Sequence, residues 1–310
     1  MSFVYLILGF LILILGGNWL LKSAVALSLK LSIPKIIIGM TVVSLATSAP
    51  ELIVSLTAAV KGSTDLSLSN VIGSNIANLG LVLGITLLLG NMEIKKSFYK
   101  TDWPMMMMAS VLLFFFIGND DQLNQTEGFV LFGLLIAFLV YLLRFQKTAV
   151  VDEFPDDDEE LPLFKTVLYF AIGSIGLWSG SELLVRGAIS IAQEIGVSER
   201  IIGITIVSLG TSIPELAASI IAFLKKEKAI SLGNLIGSNI FNILAVLGLT
   251  AIITPVKLVD QKLMSNDIYW MLGIAFLVLP LVFLPKGSRL NYKDGIVLLI
   301  SYIIFIFQTV

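Results

Sequence analysis

The chain of 310 residues contains no cysteine and no histidine. Without cysteine it can form neither disulfides nor thiolate metal sites. Without histidine it lacks the commonest proton shuttle and a common soft-metal ligand. Charge is also scarce, since Asp, Glu, Lys and Arg make up 14% of the residues, against roughly a quarter in soluble domains. The scarcity of charge indicates a protein of an apolar environment.

Long apolar stretches fill the sequence instead, and hydrophobic residues make up 57% of it. Stretches of about 18 or more apolar residues predict membrane-spanning helices, and they lack the alternation of barrel strands. We predict an all-α polytopic membrane protein of about ten spans in the lipid bilayer, with no nucleic-acid partner and no obligate protein partner. The predicted spans are 2–28, 34–60, 67–90, 101–118, 126–146, 163–193, 199–224, 229–254, 264–285 and 291–309.

Two stretches of the sequence occur twice. Residues 37–52 (IIGMTVVSLATSAPEL) match residues 201–216 (IIGITIVSLGTSIPEL) at 12 of 16 positions. Residues 67–78 (SLSNVIGSNIAN) match residues 231–242 (SLGNLIGSNIFN) at 9 of 12 positions, at the same offset of 164. One offset for both matches indicates an internal duplication. The predicted organisation is a first five-helix repeat at 1–146, an acidic linker at 147–162 and a second five-helix repeat at 163–310.

The positive charges predict the orientation in the membrane. With the N-terminus outside, the cytoplasmic connections and adjoining span ends hold 14 Lys and Arg residues and the outer ones hold four. Lys22 and Arg186 lie well inside spans and are not counted. Cytoplasmic loops carry such an excess. Five spans per repeat also invert the second repeat, as is typical of secondary transporters. We predict a plasma (inner) membrane location, with both termini outside and the linker cytoplasmic.

Each repeat places a glutamate directly after a proline, inside a span. Glu51 lies 16 residues after Lys35 and 10 before Lys61, which at about 1.5 Å per helical residue places it near mid-membrane. Glu215 lies at a similar predicted depth. Prolines often only kink membrane helices, but an intramembrane acid is by default a functional residue. Its duplication at matched depth favours the functional interpretation.

The proline predicts a break in the helix. Pro50 disfavours the preceding helical turn and fits the start of a second half-helix. Thr47 and Ser48 are then expected to cap the free N–H groups of that half-helix. The first half-helix leaves carbonyl groups from Ser44 onward as cation ligands. Glu51 falls in the first turn of the second half-helix, where the helix dipole favours a negative charge.

The predicted site is made of oxygen ligands. Asn78 and Asn242 lie near the middle of the spans that follow the glutamates, and the GSN motifs at 73–75 and 237–239 predict irregular backbone there. Carboxylate, amide, hydroxyl and carbonyl oxygens suit hard cations, and Ca²⁺ in particular takes about 6–8 of them. Two ionised glutamates neutralise one Ca²⁺, and Na⁺ or protons can replace it, which is the logic of exchange at a shared site.

The paired motifs resemble the two α-repeats of the calcium/cation antiporter superfamily. SLATSAPEL with SNVIGSNIAN, and SLGTSIPEL with GNLIGSNIFN, are most similar to its sodium/calcium exchanger branch. The resemblance covers essentially the whole chain. It implies two inverted five-helix halves, with the long first and sixth spans sliding against an eight-helix core. It implies Ca²⁺ and Na⁺ as transported ions and no cofactor. The implied ion ligands are Glu51, Glu215, Asn78, Asn242, Thr47, Thr211, Ser48, Ser212, Ser74, Ser238, Ser44 and Ser208, the last two through their carbonyl groups.

Two residues depart from the family pattern. Ala46 stands where the motif usually has glycine, a small change in packing. Asn242 stands where many relatives carry aspartate, which leaves two carboxylates at the centre. The proton-coupled branch has a different motif before its glutamate, so the resemblance favours Na⁺ coupling. A H⁺/Ca²⁺ antiporter that uses the same two glutamates remains the alternative.

Two other functional classes fit the sequence less well. A passive cation channel conflicts with two pseudo-symmetric halves around a midplane site. An intramembrane protease with a Ser-His dyad is impossible without histidine. We therefore predict that the protein is not an enzyme.

Overall fold

The computed structural model describes residues 2–145, 161–196, 208–284 and 287–309. The described chain is mostly helical, with four two-residue strands. The helices are α1 (Ser2–Leu31), α2 (Lys35–Thr47), α3 (Ala49–Val60), α4 (Thr64–Leu88), α5 (Phe98–Asp120), α6 (Gln125–Phe145), α7 (Leu163–Glu194), α8 (Ser208–Gly210), α9 (Ile213–Leu224), α10 (Lys228–Ile253), α11 (Leu263–Phe283) and α12 (Tyr292–Thr309).

The helix lengths confirm the predicted fold class. Eight described helices are long and apolar enough to cross a membrane, and α2 with α3 forms a ninth, broken span. The seventh predicted span, 199–224, is described from Ser208 onward, as α8 and α9. Helix boundaries agree with the predicted spans within a few residues. The predicted linker at 147–162 lies almost entirely outside the described residues.

Turns of π-helix interrupt five of the described helices. One runs from Asn78 to Leu83 in α4, and another from Asn242 to Leu247 in α10. These two turns are equivalent in the repeats, since they differ by the same offset of 164. Single π turns are frequent at functional sites. The irregular backbone predicted from the GSN motifs is thus confirmed, just after each motif.

The chain forms two compact units, and each draws on both repeats. The first unit comprises Met1–Thr47 and Val140–Asn234, and the second comprises Ser48–Leu139 and Leu235–Thr309. The predicted repeats are therefore units of sequence, because helices from both repeats pack into each compact unit.

Glycines join α1 to α7 in the first unit. Gly9 faces the backbone of α7 at Gly180, and Gly173 faces the backbone of α1 at Gly16. A Cβ atom on any of these four residues would come within 3.0 Å of the opposite backbone. Gly9 and Gly173 differ by the repeat offset of 164, as do Gly16 and Gly180. The two glycine pairs are therefore equivalent in the duplication. Small residues of this kind allow membrane helices to approach closely.

Glycines also join the repeats in the second unit. Gly84 of α4 and Gly295 of α12 each face the other's backbone, so the last helix of the second repeat packs on α4. Gly128 of α6 and Gly248 of α10 do the same, so the last helix of the first repeat packs on α10. Each repeat thereby contributes its last helix to the other.

Two short antiparallel ladders connect the repeats in the second unit. Strand β1 (Met92–Glu93) pairs with β4 (Arg289–Leu290), and β2 (Gln122–Leu123) pairs with β3 (Val256–Lys257). Each ladder holds one fully buried apolar pair, Met92 opposite Leu290 and Val256 opposite Leu123. Met92 and Val256 differ by the repeat offset of 164, and each pairs with a strand of the other repeat.

The glycine contact of the first unit generates a stability prediction. In Gly173→Ala the new Cβ would lie 2.5 Å from the backbone nitrogen of Leu20, and overpacking of this kind costs about 1–3 kcal/mol. We expect a clearly lower Tm of the purified protein in detergent. Gly133→Ala is the matched control, because nothing lies within 4 Å of its Cβ position on α6. Equal Tm values for the two variants would contradict the close packing.

Candidate ion-binding site

The twelve predicted site residues divide evenly between the two compact units. The first unit holds Ser44, Thr47, Ser208, Thr211, Ser212 and Glu215, and the second holds Ser48, Glu51, Ser74, Asn78, Ser238 and Asn242. Ten of the twelve side chains are buried. Thr211 is partly exposed, and the side chain of Ser208 lies outside the described residues.

Both glutamates occupy the first turn of a half-helix. Helix α3 begins at Ala49 with Pro50 at its second position and Glu51 next, and the side chain of Glu51 is 0% exposed. Helix α9 repeats this arrangement around Glu215, which is also 0% exposed. A helix N-terminus favours a negative charge by typically 0.3–1 kcal/mol, and more when partly buried. That gain offsets only part of the several kcal/mol that burial of a carboxylate costs.

The predicted cap of the half-helix by Ser48 is wrong. Ser48 and Ser212 occupy the N-cap positions, but neither side chain makes a capping hydrogen bond. An N-cap residue usually has extended backbone, whereas Ser48 has φ −86° and ψ 5° and Ser212 has φ −87° and ψ 1°. Ser212 Oγ is buried and has no hydrogen-bond partner among the described residues.

An asparagine organises the hydroxyl groups of the first unit. Thr47 Oγ1 donates a hydrogen bond to Asn234 Oδ1 at 3.1 Å, and Ser44 Oγ lies 3.0 Å from the carbonyl oxygen of Asn234. Asn234 Nδ2 in turn donates to Ser219 Oγ at 3.1 Å. Because α9 also contacts the Ser44–Thr47 turn of α2, the helix of Glu215 and the hydroxyl groups of the first motif lie side by side in this unit.

The equivalent asparagine of the second unit makes the equivalent contact. Asn70 Nδ2 donates to Ser55 Oγ at 3.1 Å, and the same group lies 3.4 Å from the carbonyl oxygen of Glu51. Asn70 and Ser55 are the repeat partners of Asn234 and Ser219. The duplication therefore extends from the sequence to individual hydrogen bonds.

Asn78 and Asn242 start the two π turns and are fully buried. Their Nδ2 groups donate hydrogen bonds to other asparagines of the second unit. Their Oδ1 atoms, in contrast, have no hydrogen-bond partner among the described residues. Helix α3, which carries Glu51, contacts the π turn that begins at Asn242. A buried amide oxygen without a partner is costly, unless a cation or a water molecule binds it.

This donor set fits a hard cation. Within the part of the chain that the structure describes, no three His, Cys, Asp or Glu side chains come together. Coordination would therefore combine carboxylate oxygens with amide, hydroxyl and carbonyl oxygens. Ca²⁺ accepts such irregular sets of about 6–8 oxygens, whereas Mg²⁺ demands a near-ideal octahedron.

Four residues of the site were missed by the sequence reasoning, namely Asn70, Asn234, Ser55 and Ser219. They lie outside the Pro-Glu and GSN motifs, but all four keep the repeat offset of 164. That shared offset is the signal that could have found them.

Comparison with known proteins identifies a family along most of the chain. A family model described as "Sodium/calcium exchanger protein" matches residues 1–144 and 165–310. The inner membrane protein YrbG of Escherichia coli strain K12 is 32% identical over 312 residues, covering 97% of this chain and 94% of YrbG. The sodium/calcium exchanger MaX1 of Methanosarcina acetivorans is 28% identical over 346 residues, covering 98% and 97%.

The fold matches a solved transporter. The structure of the sodium/calcium exchanger from Methanococcus jannaschii superimposes with a TM-score of 0.82 at 28% identity, covering 98% of this chain and 97% of that one. The chain is also similar to the Ca²⁺/H⁺ antiporter ChaA of Bacillus subtilis strain 168, with 25% identity over 280 residues, covering 83% and 78%. The relatives named as exchangers or antiporters of Ca²⁺ thus differ in the monovalent ion that their names give. The chain belongs to the sodium/calcium exchanger protein family.

Proposed function

We propose that this chain is a secondary active antiporter that exchanges Ca²⁺ for Na⁺ across the membrane by alternating access. The observation that carries the proposal is the duplicated buried glutamate. Glu51 and Glu215 each lie in the first turn of a half-helix behind a proline, with no exposed surface. A buried carboxylate within a membrane span is by default a functional residue, and a bound cation would neutralise it.

The twelve predicted ligands take distinct roles in this proposal. Glu51 and Glu215 supply the two negative charges that balance one Ca²⁺ or two Na⁺. The amide oxygens of Asn78 and Asn242 add neutral ligands without adding charge. The remaining hydroxyl and carbonyl oxygens provide the Na⁺ sites. The first repeat supplies Ser44, Thr47, Ser48 and Ser74, and the second repeat supplies Ser208, Thr211, Ser212 and Ser238.

Coupling of Ca²⁺ transport to protons is the second candidate, and the similarity to a Ca²⁺/H⁺ antiporter supports it. Two protons could neutralise the same carboxylates in place of two Na⁺. The hydroxyl groups around the half-helix breaks favour Na⁺ instead, because a proton on a carboxyl group needs no further oxygen ligands.

The proposed organisation keeps the repeats at 1–146 and 163–310 and the linker at 147–162. We place the protein in the plasma (inner) membrane with both termini outside and the linker in the cytoplasm. The excess of Lys and Arg in the alternate connections supports this orientation.

Replacement of a central carboxylate tests the site. In everted vesicles loaded with Na⁺ and diluted into Na⁺-free medium with ⁴⁵Ca²⁺, Glu51→Gln should reduce initial uptake more than about a hundredfold. The reason is that the cation would lose the carboxylate of Glu51, and loss of one partner of a buried charge pair costs about 3–5 kcal/mol. Glu182→Gln is the control, because Glu182 makes an exposed ion pair with Arg186 and should leave uptake unchanged. Uptake by Glu51→Gln at the wild-type rate would contradict the site.

Separate gradients identify the coupling ion. With pH equal on both sides, an outward Na⁺ gradient should drive Ca²⁺ uptake into the vesicles. A pH gradient without Na⁺ should drive none, since Na⁺ rather than H⁺ is proposed to neutralise the glutamates. Uptake that follows the pH gradient in the absence of Na⁺ would establish the proton-coupled alternative.

The natural absence of cysteine allows a clean test of orientation. Lys96 and Lys262 are exposed residues of two connections that we place on opposite sides. A membrane-impermeant maleimide should label Lys262→Cys in intact cells and Lys96→Cys only in everted vesicles. The unmodified protein, which has no thiol, gives the background. The reverse labelling pattern would invert the proposed topology.

A further inference from the structure

Four buried asparagines of the second unit form one cluster. They come from the two GSN motifs and the residues three positions later, namely Asn75, Asn78, Asn239 and Asn242, and each is at most 2% exposed. Within each repeat the two asparagines are three positions apart, so they share one face of the helix. Asn78 and Asn242 are proposed ion ligands, whereas Asn75 and Asn239 have no role in the proposed function so far.

The hydrogen bonds of this cluster cross between the repeats. Asn78 Nδ2 donates to Asn239 Oδ1 at 3.3 Å. Asn242 Nδ2 donates to Asn75 Oδ1 at 3.1 Å. The two bonds are related by the repeat offset, and each one joins a proposed ligand of one repeat to an asparagine of the other.

Further contacts fix the orientation of the two supporting amides. Asn75 Nδ2 donates to the carbonyl oxygen of Asn239 at 3.2 Å and lies 3.9 Å from the sulfur of Met271. Asn239 Nδ2 lies 3.7 Å from the sulfur of Met106. With their N–H groups directed to these partners, both side chains present Oδ1 as the acceptor for the ligand amides.

The orientation of a ligand amide decides whether it can bind a cation. An asparagine side chain offers a carbonyl oxygen on one side and two N–H donors on the other. A flipped amide would present its N–H groups, whose partial positive charge repels a cation. In this structure the Nδ2 groups of Asn78 and Asn242 are occupied, and their buried Oδ1 atoms have no partner among the described residues.

We propose that Asn75 and Asn239 are positioning residues, which hold the amides of Asn242 and Asn78 so that each directs its Oδ1 atom to the transported cation. The inference rests on the proposed function, because it assigns a role relative to the same ion site. Each repeat thereby orients the neutral ligand of the other, and cation affinity depends on both crossed hydrogen bonds. Neither residue binds the ion itself.

Leucine and aspartate substitutions separate this role from packing. Asn75→Leu has a similar size but removes the acceptor for Asn242, so we expect the apparent KM for Ca²⁺ to rise about tenfold or more with little change in maximal rate. Asn75→Asp keeps an acceptor oxygen and should restore most of the affinity. A packing role predicts instead that both variants lower the Tm without Ca²⁺ and that KM stays constant.

A double-mutant cycle tests the crossed pairing directly. Once Asn242→Leu has removed the ligand amide, Asn75→Leu should raise KM no further, because nothing remains to be oriented. In combination with Asn78→Leu, the factors by which the two substitutions raise KM should multiply, because Asn78 is held by Asn239 and not by Asn75. The inference would be overturned if Asn75→Leu raised KM by the same factor in both combinations, or if Asn75→Leu alone left KM unchanged.

The readout also includes the rise in Tm that Ca²⁺ produces in purified protein, which follows ligand affinity. Asn75→Leu should keep its Tm without Ca²⁺ and lose most of the Ca²⁺-dependent rise. If the leucine variants do not fold, Asn75→Ala replaces them in the same cycle, since it removes the acceptor without adding apolar bulk. Failure of wild-type protein to bind or transport Ca²⁺ would refute the proposed function, whereas normal wild-type transport with a wild-type-like Asn75→Leu would refute only the positioning role.

Discussion

The structure depends on the burial of two carboxylates within membrane-spanning helices. Glu51 and Glu215 have no exposed surface, and a buried carboxylate costs several kcal/mol unless opposite charge or hydrogen bonds offset it. The prolines that precede them start new half-helices, whose first N–H groups offset part of that cost. In the proposed function, a bound cation neutralises both carboxylates.

Irregular backbone is tolerated within the spans because it is buried in protein. A membrane interior contains no water to satisfy free N–H and C=O groups, so breaks in helices occur where protein surrounds them. The break at Ser48 and the π turns that begin at Asn78 and Asn242 involve buried residues. Helices α4 and α10, which contain these two π turns, are also far more buried than the other long described helices.

The duplication is used throughout the fold as support from one repeat for the other. Asn234 of the second repeat holds Thr47 of the first, and the last helix of each repeat packs on a helix of the other through paired glycines. Each short ladder likewise pairs a strand of one repeat with a strand of the other and contains one buried apolar pair. A substitution at one of these contacts therefore affects both repeats.

The sequence by itself determined the helical membrane class, the positions of the described spans, the duplication and the two buried glutamates, because length, hydropathy and repeated motifs are local properties of the chain. It also located the irregular turns, through the proline and the GSN motifs. It failed on the cap by Ser48, because the backbone angles of Ser48 depend on how the half-helices pack. Only the tertiary structure decided that Thr47 is held by Asn234 and that the asparagines pair across the repeats. Those contacts join residues more than 160 positions apart, and side-chain hydrogen bonds over such separations are fixed by helix packing, which no local pattern records.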